Sequence, residues 1–202
     1  MLVVVSDTHA REGSKLRGRT LEAVREADLV VHAGDFYRAP VLDAFESASG
    51  TLRGVYGNND DATIRDRLPE VRTIEYGGVR FAVTHRHRSG DTGLIMLGRG
   101  RDADAVICGH SHRPRFDDSG GLPILNPGSH TQPRGNRPAH AELEPASVNG
   151  AGDDGAGDDG ADDDGAGDDD GDAANESDGG AGLRGRLVTP DGDVFEEFRI
   201  DP

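Results

Sequence analysis

Seven side chains of metal-ligating type occur in the first 112 residues, and each follows an apolar run. Asp7 and His9 come after Leu2-Val3-Val4-Val5, Asp35 after residues 29–34, and Asn58 after residues 51–57. His85 comes after residues 79–84, and His110 and His112 after residues 105–109. Short, β-branched apolar runs bounded by turn residues predict strands. An open α/β sheet places its ligand site at the carboxyl ends of such strands. Asp, Asn and His together offer the mixed oxygen and nitrogen donors that suit divalent Mn, Fe, Ni, Co or Zn. The series Asp-x-His, Gly-Asp, Gly-Asn, His, Gly-His-x-His reads as a two-metal hydrolase site.

Asp7 and His9 are two apart, so in an extended segment both point to one side and can share a cation. Gly34 lets the chain turn sharply before Asp35, whose carboxylate can bridge two cations about 4 Å apart. Asn58 offers a carbonyl oxygen, although Gly57-Asn58-Asn59-Asp60 is also turn chemistry in its own right. His85 and His110 would complete the second cation and His112 the first. Taken singly, each residue has a plainer reading as a cap, an Asx turn or a surface histidine. Six pieces in this order, all at strand ends, argue for a site.

The elements that must hold these residues can be read along the chain. Residues 2–6, 28–33 and 51–56 are predicted strands; 19–27, 40–48 and 61–68 are predicted helices, the first with Leu21 and Val24 inward. This β-α-β-α-β order implies parallel strands with right-handed crossovers. Residues 71–76 and 79–84 flank Gly77-Gly78, a hairpin signal. A helix over 92–99 and a buried strand over 103–108 follow. Phe116 and residues 122–125 make a second hairpin, 139–144 a strand, and 183–190 with 193–200 a third hairpin around Asp191-Gly192. The fold class is α/β: a mixed two-sheet β-sandwich flanked by helices, in four layers α/β/β/α.

At 202 residues the chain predicts a single domain over 1–202. Residues 147–182, rich in Gly, Ala and Asp, have too little apolar surface to offset ordering entropy, and predict a disordered acidic insertion between two strands. The formal net charge is −16, yet twelve Asp and one Glu lie within residues 145–182, where there is no Lys or Arg. The remaining 25 acidic residues face 22 basic ones, so there is no basic excess to bind nucleic acid or an anionic membrane. Lys15 is the only lysine, and with so many Asp this points to a halophilic or a GC-rich source; high salt would screen carboxylate repulsion. Cys108 is the sole cysteine; it permits no internal disulfide, suits a reducing cytoplasmic compartment, and reads as a small buried hydrophobe. The four apolar residues before Ser6 are too few for a signal peptide or a membrane span.

The motifs Ser6-Asp7-Thr8-His9, His32-Ala33-Gly34-Asp35, Gly57-Asn58-Asn59-Asp60, Thr84-His85-Arg86-His87, Gly109-His110-Ser111-His112 and Asn126-Pro127-Gly128-Ser129 resemble those of the calcineurin-like metallophosphoesterases. The resemblance is to the compact YfcE/MJ0936-type phosphodiesterase branch, which includes the Vps29 scaffold. It implies that Asp7, His9 and His112 hold one divalent ion, that Asn58, His85 and His110 hold another, and that Asp35 bridges them. Mn²⁺ is expected, with Ni²⁺, Co²⁺, Fe²⁺ or Zn²⁺ as alternatives. It also implies catalytic roles for Asp35, Asn58 and His85, with water activated for in-line attack on a small phosphate ester. A homo-oligomer is a further expectation of the resemblance.

Two positions depart from the pattern. Asn59 stands where larger members carry a histidine that protonates the leaving group, so good leaving groups should be favoured. Arg86 stands where the family has Gly; it either contacts substrate phosphate or points to solvent. Asp60 is expected to orient nearby histidines. His87 is either a substrate contact or a solvated histidine, and His32 a satisfied core histidine. Arg99, Arg113 and Arg134 read as surface arginines, and His130 and His140 as exposed. The competing reading is a non-catalytic, Vps29-like binding scaffold. A nuclease is disfavoured by the near-neutral folded part.

Overall fold

A computed structural model describes residues 1–146 and 182–202. The acidic insertion expected over 147–182 lies outside the described residues except for Gly182. Among the described residues no helix is long and apolar enough to cross a membrane.

The first sheet is built on the apolar runs β1 (Leu2–Val5) and β2 (Leu29–His32), with β3 (Leu52–Gly54), β9 (His140–Pro145), β10 (Leu183–Val188) and β11 (Val194–Ile200). Its order is β11-β10-β9-β1-β2-β3. The strands β1, β2 and β3 run parallel, with Leu2 opposite Leu29 and Val30 opposite Leu52. They are joined by α1 (Gly18–Glu26) and α2 (Ala39–Ala48), as the β-α-β pattern requires. The second sheet has the order β4-β5-β6-β8-β7, from β4 (Val71–Tyr76), β5 (Val79–Thr84), β6 (Ala105–Ile107), β7 (Arg115–Asp117) and β8 (Ile124–Asn126). The remaining helices are α3 (Ala62–Arg67) and α4 (Gly90–Arg99).

Period-two alternation sorts the apolar side chains into three layers of contact. Leu2, Val4, Val31, Phe81, Val83, Ile107 and Leu125 meet between the sheets. Val3, Val5 and Val30 face outward and pack with Val24, Leu42 and Phe45 of α1 and α2. Ala82, Val106 and Ile124 pack with Leu94 of α4. Strands buried on both faces read as unbroken apolar runs, which is why β1 is Leu-Val-Val-Val. Each fully buried Phe or Leu contributes about 1.5–3 kcal/mol. The four layers are therefore helix, sheet, sheet and helix.

Element positions match the sequence pattern within a few residues, and Val24 of α1 faces inward as expected, but Leu21 does not. Thr20, Ala23 and Val24 are buried, whereas Leu21 is only half-buried. Thr20 is drawn in by a 3.1 Å hydrogen bond between its hydroxyl and His140 Nδ1.

Candidate metal centre

The chain ends leaving β1, β2, β5 and β6 are stitched together by backbone hydrogen bonds. The N–H groups of Asp7, His9 and Gly109 donate to the carbonyls of Gly34, Asp35 and His85, each at 3.0 Å. The turn from strand to loop is made in left-handed backbone: φ is 54° at Asp7, 45° at His9, 60° at Asp35, 71° at His110 and 58° at His112. Asp7 and His9 thus converge through these strained turns, and not through the extended segment their spacing suggested. Such conformations cost about 1–3 kcal/mol each at non-glycine residues and persist where surrounding structure enforces them.

Two groups of ligating side chains result. Donor atoms of Asp7, His9 and His112 lie within 4.8 Å of one another, as do those of Asp7, Asp35 and His85. Asp7 Oδ1 is 3.3 Å from His112 Nε2 and 3.7 Å from His9 Nε2. Asp35 Oδ2 is 3.3 Å from both His9 Nε2 and His85 Nε2, which sets this carboxylate between the groups. His9 and His112 stack at 4.9 Å, and His85 meets His110 edge-on at 5.3 Å. Asn58 and His110 are exposed, and His110 falls in neither group. Asn58 lines the same cleft as His85. Asp7, Asp35 and His85 are all buried, whereas His9 of the first group is only partly buried.

A cation fits these residues. Asp7 Oδ1, His9 Nε2 and His85 Nε2 are buried and have no hydrogen-bond partner. Buried polar atoms are otherwise nearly always paired, so three orphans spread over two groups that share Asp7 call for an occupant. The far sides of the ligands are tied down. His85 Nδ1 donates to the Ala33 carbonyl at 2.8 Å, and His112 Nδ1 to that of Gln132. Both bonds fix the tautomer that presents Nε2 as a lone-pair donor. Asp7 Oδ2 accepts from the Ser6 hydroxyl at 2.7 Å and the His110 N–H at 2.9 Å.

Electrostatics keep the set ready for a cation. Burial pulls the Asp35 carboxyl upward, but the nearby His85 ring and the hydrogen bonds from Asn59 outweigh it and hold Asp35 well below the usual range. Burial pulls His85 down, yet Asp35 and Asp7 leave it raised. His112 is lowered by burial, and His110 by burial, His85 and Arg86. Arg86 thus acts electrically on the centre although its side chain is exposed.

Asn59 and Asp60 have positions that their types alone did not reveal. Asn59 donates its backbone N–H to Asp35 Oδ1 at 2.8 Å and its amide to Asp35 Oδ2 at 2.7 Å. Asp60 bonds no histidine, contrary to expectation. It accepts the N–H groups of Asp35, Gly57 and Tyr37 at 3.0, 2.7 and 2.7 Å, because the turn folds the backbone around its carboxylate. Burial raises its pKa against these bonds. Gly34, at φ 92°, passes so close that a Cβ would sit 2.8 Å from His85 Nδ1. A Cβ at Gly57 would overlap the Asp35 carboxylate.

The other candidates divide. His87 is exposed, and its Nδ1 accepts the Ser89 N–H at 3.2 Å. His32 is a core histidine, stacked on Phe36 at 3.5 Å and 2.9 Å from the Thr8 hydroxyl. Arg99, Arg113 and Arg134 are exposed. His130 and His140 are 2% and 0% exposed, which corrects their reading as surface residues. Thr20 of α1 meets His140, and Phe45 of α2 with the Ser14 carbonyl meets His130, long-range contacts with no local signature. Residues 129–132 clamp the first turn in a way the sequence did not announce. Ser129 Oγ donates to the Asp7 carbonyl and Thr131 Oγ1 to that of Thr8, both at 2.7 Å.

Comparison with known proteins agrees with this geometry. The profile of the calcineurin-like phosphoesterase superfamily domain matches residues 1–144. A probable metallophosphoesterase of Methanothermobacter thermautotrophicus is 34% identical over 140 residues, covering 66% of this chain and 79% of that protein. Phosphodiesterase MJ0936 of Methanocaldococcus jannaschii is 26% identical, over 62% of this chain and 81% of its own. Zinc-complexed Vps29 from Entamoeba histolytica shares the fold at a TM-score of 0.64 and 21% identity, over 99% of this chain and 98% of that one.

Proposed function

The chain belongs to the calcineurin-like phosphoesterase superfamily, and from that premise we propose that it is a metal-dependent phosphodiesterase with a dinuclear centre. The observation that carries this reading is the pair of ligating groups that share Asp7, in which Asp7 Oδ1, His9 Nε2 and His85 Nε2 are buried and unpartnered. Asp7, His9 and His112 would hold one divalent ion, and Asn58, His85 and His110 the other, with the Asp35 carboxylate available to both. Mn²⁺ is our assignment, from donor atoms that equally accept Ni²⁺, Co²⁺, Fe²⁺ or Zn²⁺. When bound, two such ions lower the pKa of water and stabilise charge on the attacking and leaving oxygens of a phosphate ester.

The residues then divide the work. Asp35 is kept ionised by its neighbours, so its negative charge is available without a proton to remove. His85 and His112 are held in register by carbonyl partners. Asn59 is occupied with Asp35 through both its amides. It orients that carboxylate and supplies no proton to a leaving group, so the rate should fall steeply as leaving-group pKa rises. The sole cysteine, Cys108, is buried with its thiol pushed up to about 12. It takes no part in the chemistry.

Asp35→Asn tests the reading. Losing several kcal/mol of charge stabilisation should lower diester cleavage at least ~100-fold. Metal content, measured after dialysis, should fall below two equivalents while the circular dichroism spectrum is unchanged. A variant that keeps full activity contradicts the dinuclear mechanism.

A further inference from the structure

On the His85 side of the centre lies a cleft of about 490 Å³. Asn58 and His85 form its inner end, and Tyr56, Arg65, Arg86 and Arg88 line the rest. The volume falls in the range of small-organic-ligand sites, about 300–1,000 Å³, and exceeds what a lone phosphate needs. Three guanidinium groups dominate its charge. Glu70 is the only carboxylate lining it, and one of its oxygens accepts the Tyr56 hydroxyl at 3.3 Å.

The arginines are not spent elsewhere. Among the described residues, Arg65, Arg86 and Arg88 form no ion pair, whereas Arg19, Arg67, Arg80, Arg115, Arg186 and Arg199 each do. Arg65 is fixed by backbone carbonyls: Nε donates to Asp60 and Nη2 to Asn58, both at 2.9 Å. Its guanidinium lies 5.1 Å from the centre of the Tyr56 ring. These contacts order the group and leave its charge uncompensated. Arg86 and Arg88 stand on the loop after β5, directly following His85, and both are exposed to an incoming ligand. Guanidinium groups held this way suit bidentate recognition of phosphate.

We propose that this cleft is an anion subsite, and that the chain's substrates are small phosphodiesters carrying a second phosphate on the ester arm that enters it. The proposal rests on the phosphodiesterase reading for the position of the scissile phosphate, beside His85 and Asn58. The second phosphate then meets Arg86 and Arg88, with Arg65 as the fixed wall.

The test uses the full chain loaded with Mn²⁺. Calorimetric titration compares thymidine 3′,5′-bisphosphate with thymidine 5′-monophosphate. Hydrolysis compares thymidine 5′-(p-nitrophenyl phosphate) with the same ester bearing a 3′-phosphate. The bisphosphate should bind about tenfold more tightly, and the 3′-phosphorylated ester should show a higher kcat/KM, mainly through KM. Arg88→Gln and Arg86→Gln should each shrink both ratios several-fold. Equal or absent nucleotide binding, or ratios unchanged in both variants, overturns the anion subsite even if the p-nitrophenyl esters are cleaved. Failure to cleave any ester overturns the enzymatic reading instead, and the binding ratio still decides the subsite.

Discussion

The carboxylate of Asp60 touches no ligand side chain, yet it accepts the N–H groups of Asp35, Gly57 and Tyr37. Asp60→Ala would leave three amides without their acceptor and loosen the turn that aims Asp35. Outer partners of metal ligands typically affect metal affinity or activity by about 10–100-fold, and a loss in that range is the expected outcome, read by metal titration. Gly57→Ala should be worse, since the added methyl overlaps the Asp35 carboxylate. Activity should drop below that of Asp60→Ala, and a fully active Gly57→Ala protein would disprove the close approach. At this scale the side chains that cluster, Asp7, His9, Asp35, His85 and His112, were legible in the sequence by type and order. The left-handed backbone at Asp7, His9 and Asp35 was not, because those dihedrals are imposed by hydrogen bonds between distant turns.

Among the elements, Glu142 on β9 joins three pieces of chain. It accepts from Arg19 of α1 at 2.8 Å, from Arg186 of β10 at 2.6 Å, and pairs with His140 at 2.9 Å. Burial pulls the Glu142 carboxyl up, but these partners hold it well below its usual range. A carboxyl depressed in the fold stabilises above its unfolded pKa, about 4.3, and that contribution is lost as pH falls below it. Glu142→Gln should therefore lower stability at pH 7 and flatten the acid limb of unfolding. His130 acts with the same sign in a higher pH window. Burial lowers its pKa to about 4, so the fold resists its protonation. From about pH 6.5 down to 4 this costs up to roughly 3 kcal/mol. His130→Leu should remove that part of the slope in urea denaturation; a slope identical to wild type would refute it. Helices and strands were legible from periodicity. The burial of His130 and His140 was not, because it depends on contacts with Phe45, Ser14 and Thr20, all far away in sequence.

For the whole molecule, the net charge of −16 misleads, since thirteen carboxylates lie within residues 145–182. The chain on either side of that stretch is already paired: Pro145 lies opposite Leu183, and the Ala146 N–H donates to the Gly182 carbonyl at 3.0 Å. Replacing residues 150–180 with a short turn should keep β9 and β10 joined, and diester turnover within about twofold of wild type. Loop length costs little because closure entropy grows slowly. The four-layer sandwich was legible from alternating apolar runs. The cleft at Arg65, Arg86 and Arg88 was not, because its walls come from separate segments, residues 56–70 and 84–88, that only the fold makes adjacent.

The most direct test of the account is hydrolysis of bis-p-nitrophenyl phosphate beside p-nitrophenyl phosphate in high KCl, after chelation and re-addition of single metals. Cleavage abolished by chelation, restored by Mn²⁺ or a neighbouring divalent ion, and faster for the diester is the predicted result. Two bound equivalents of metal with no cleavage of either ester would contradict it, and would point to a binding scaffold on the same fold.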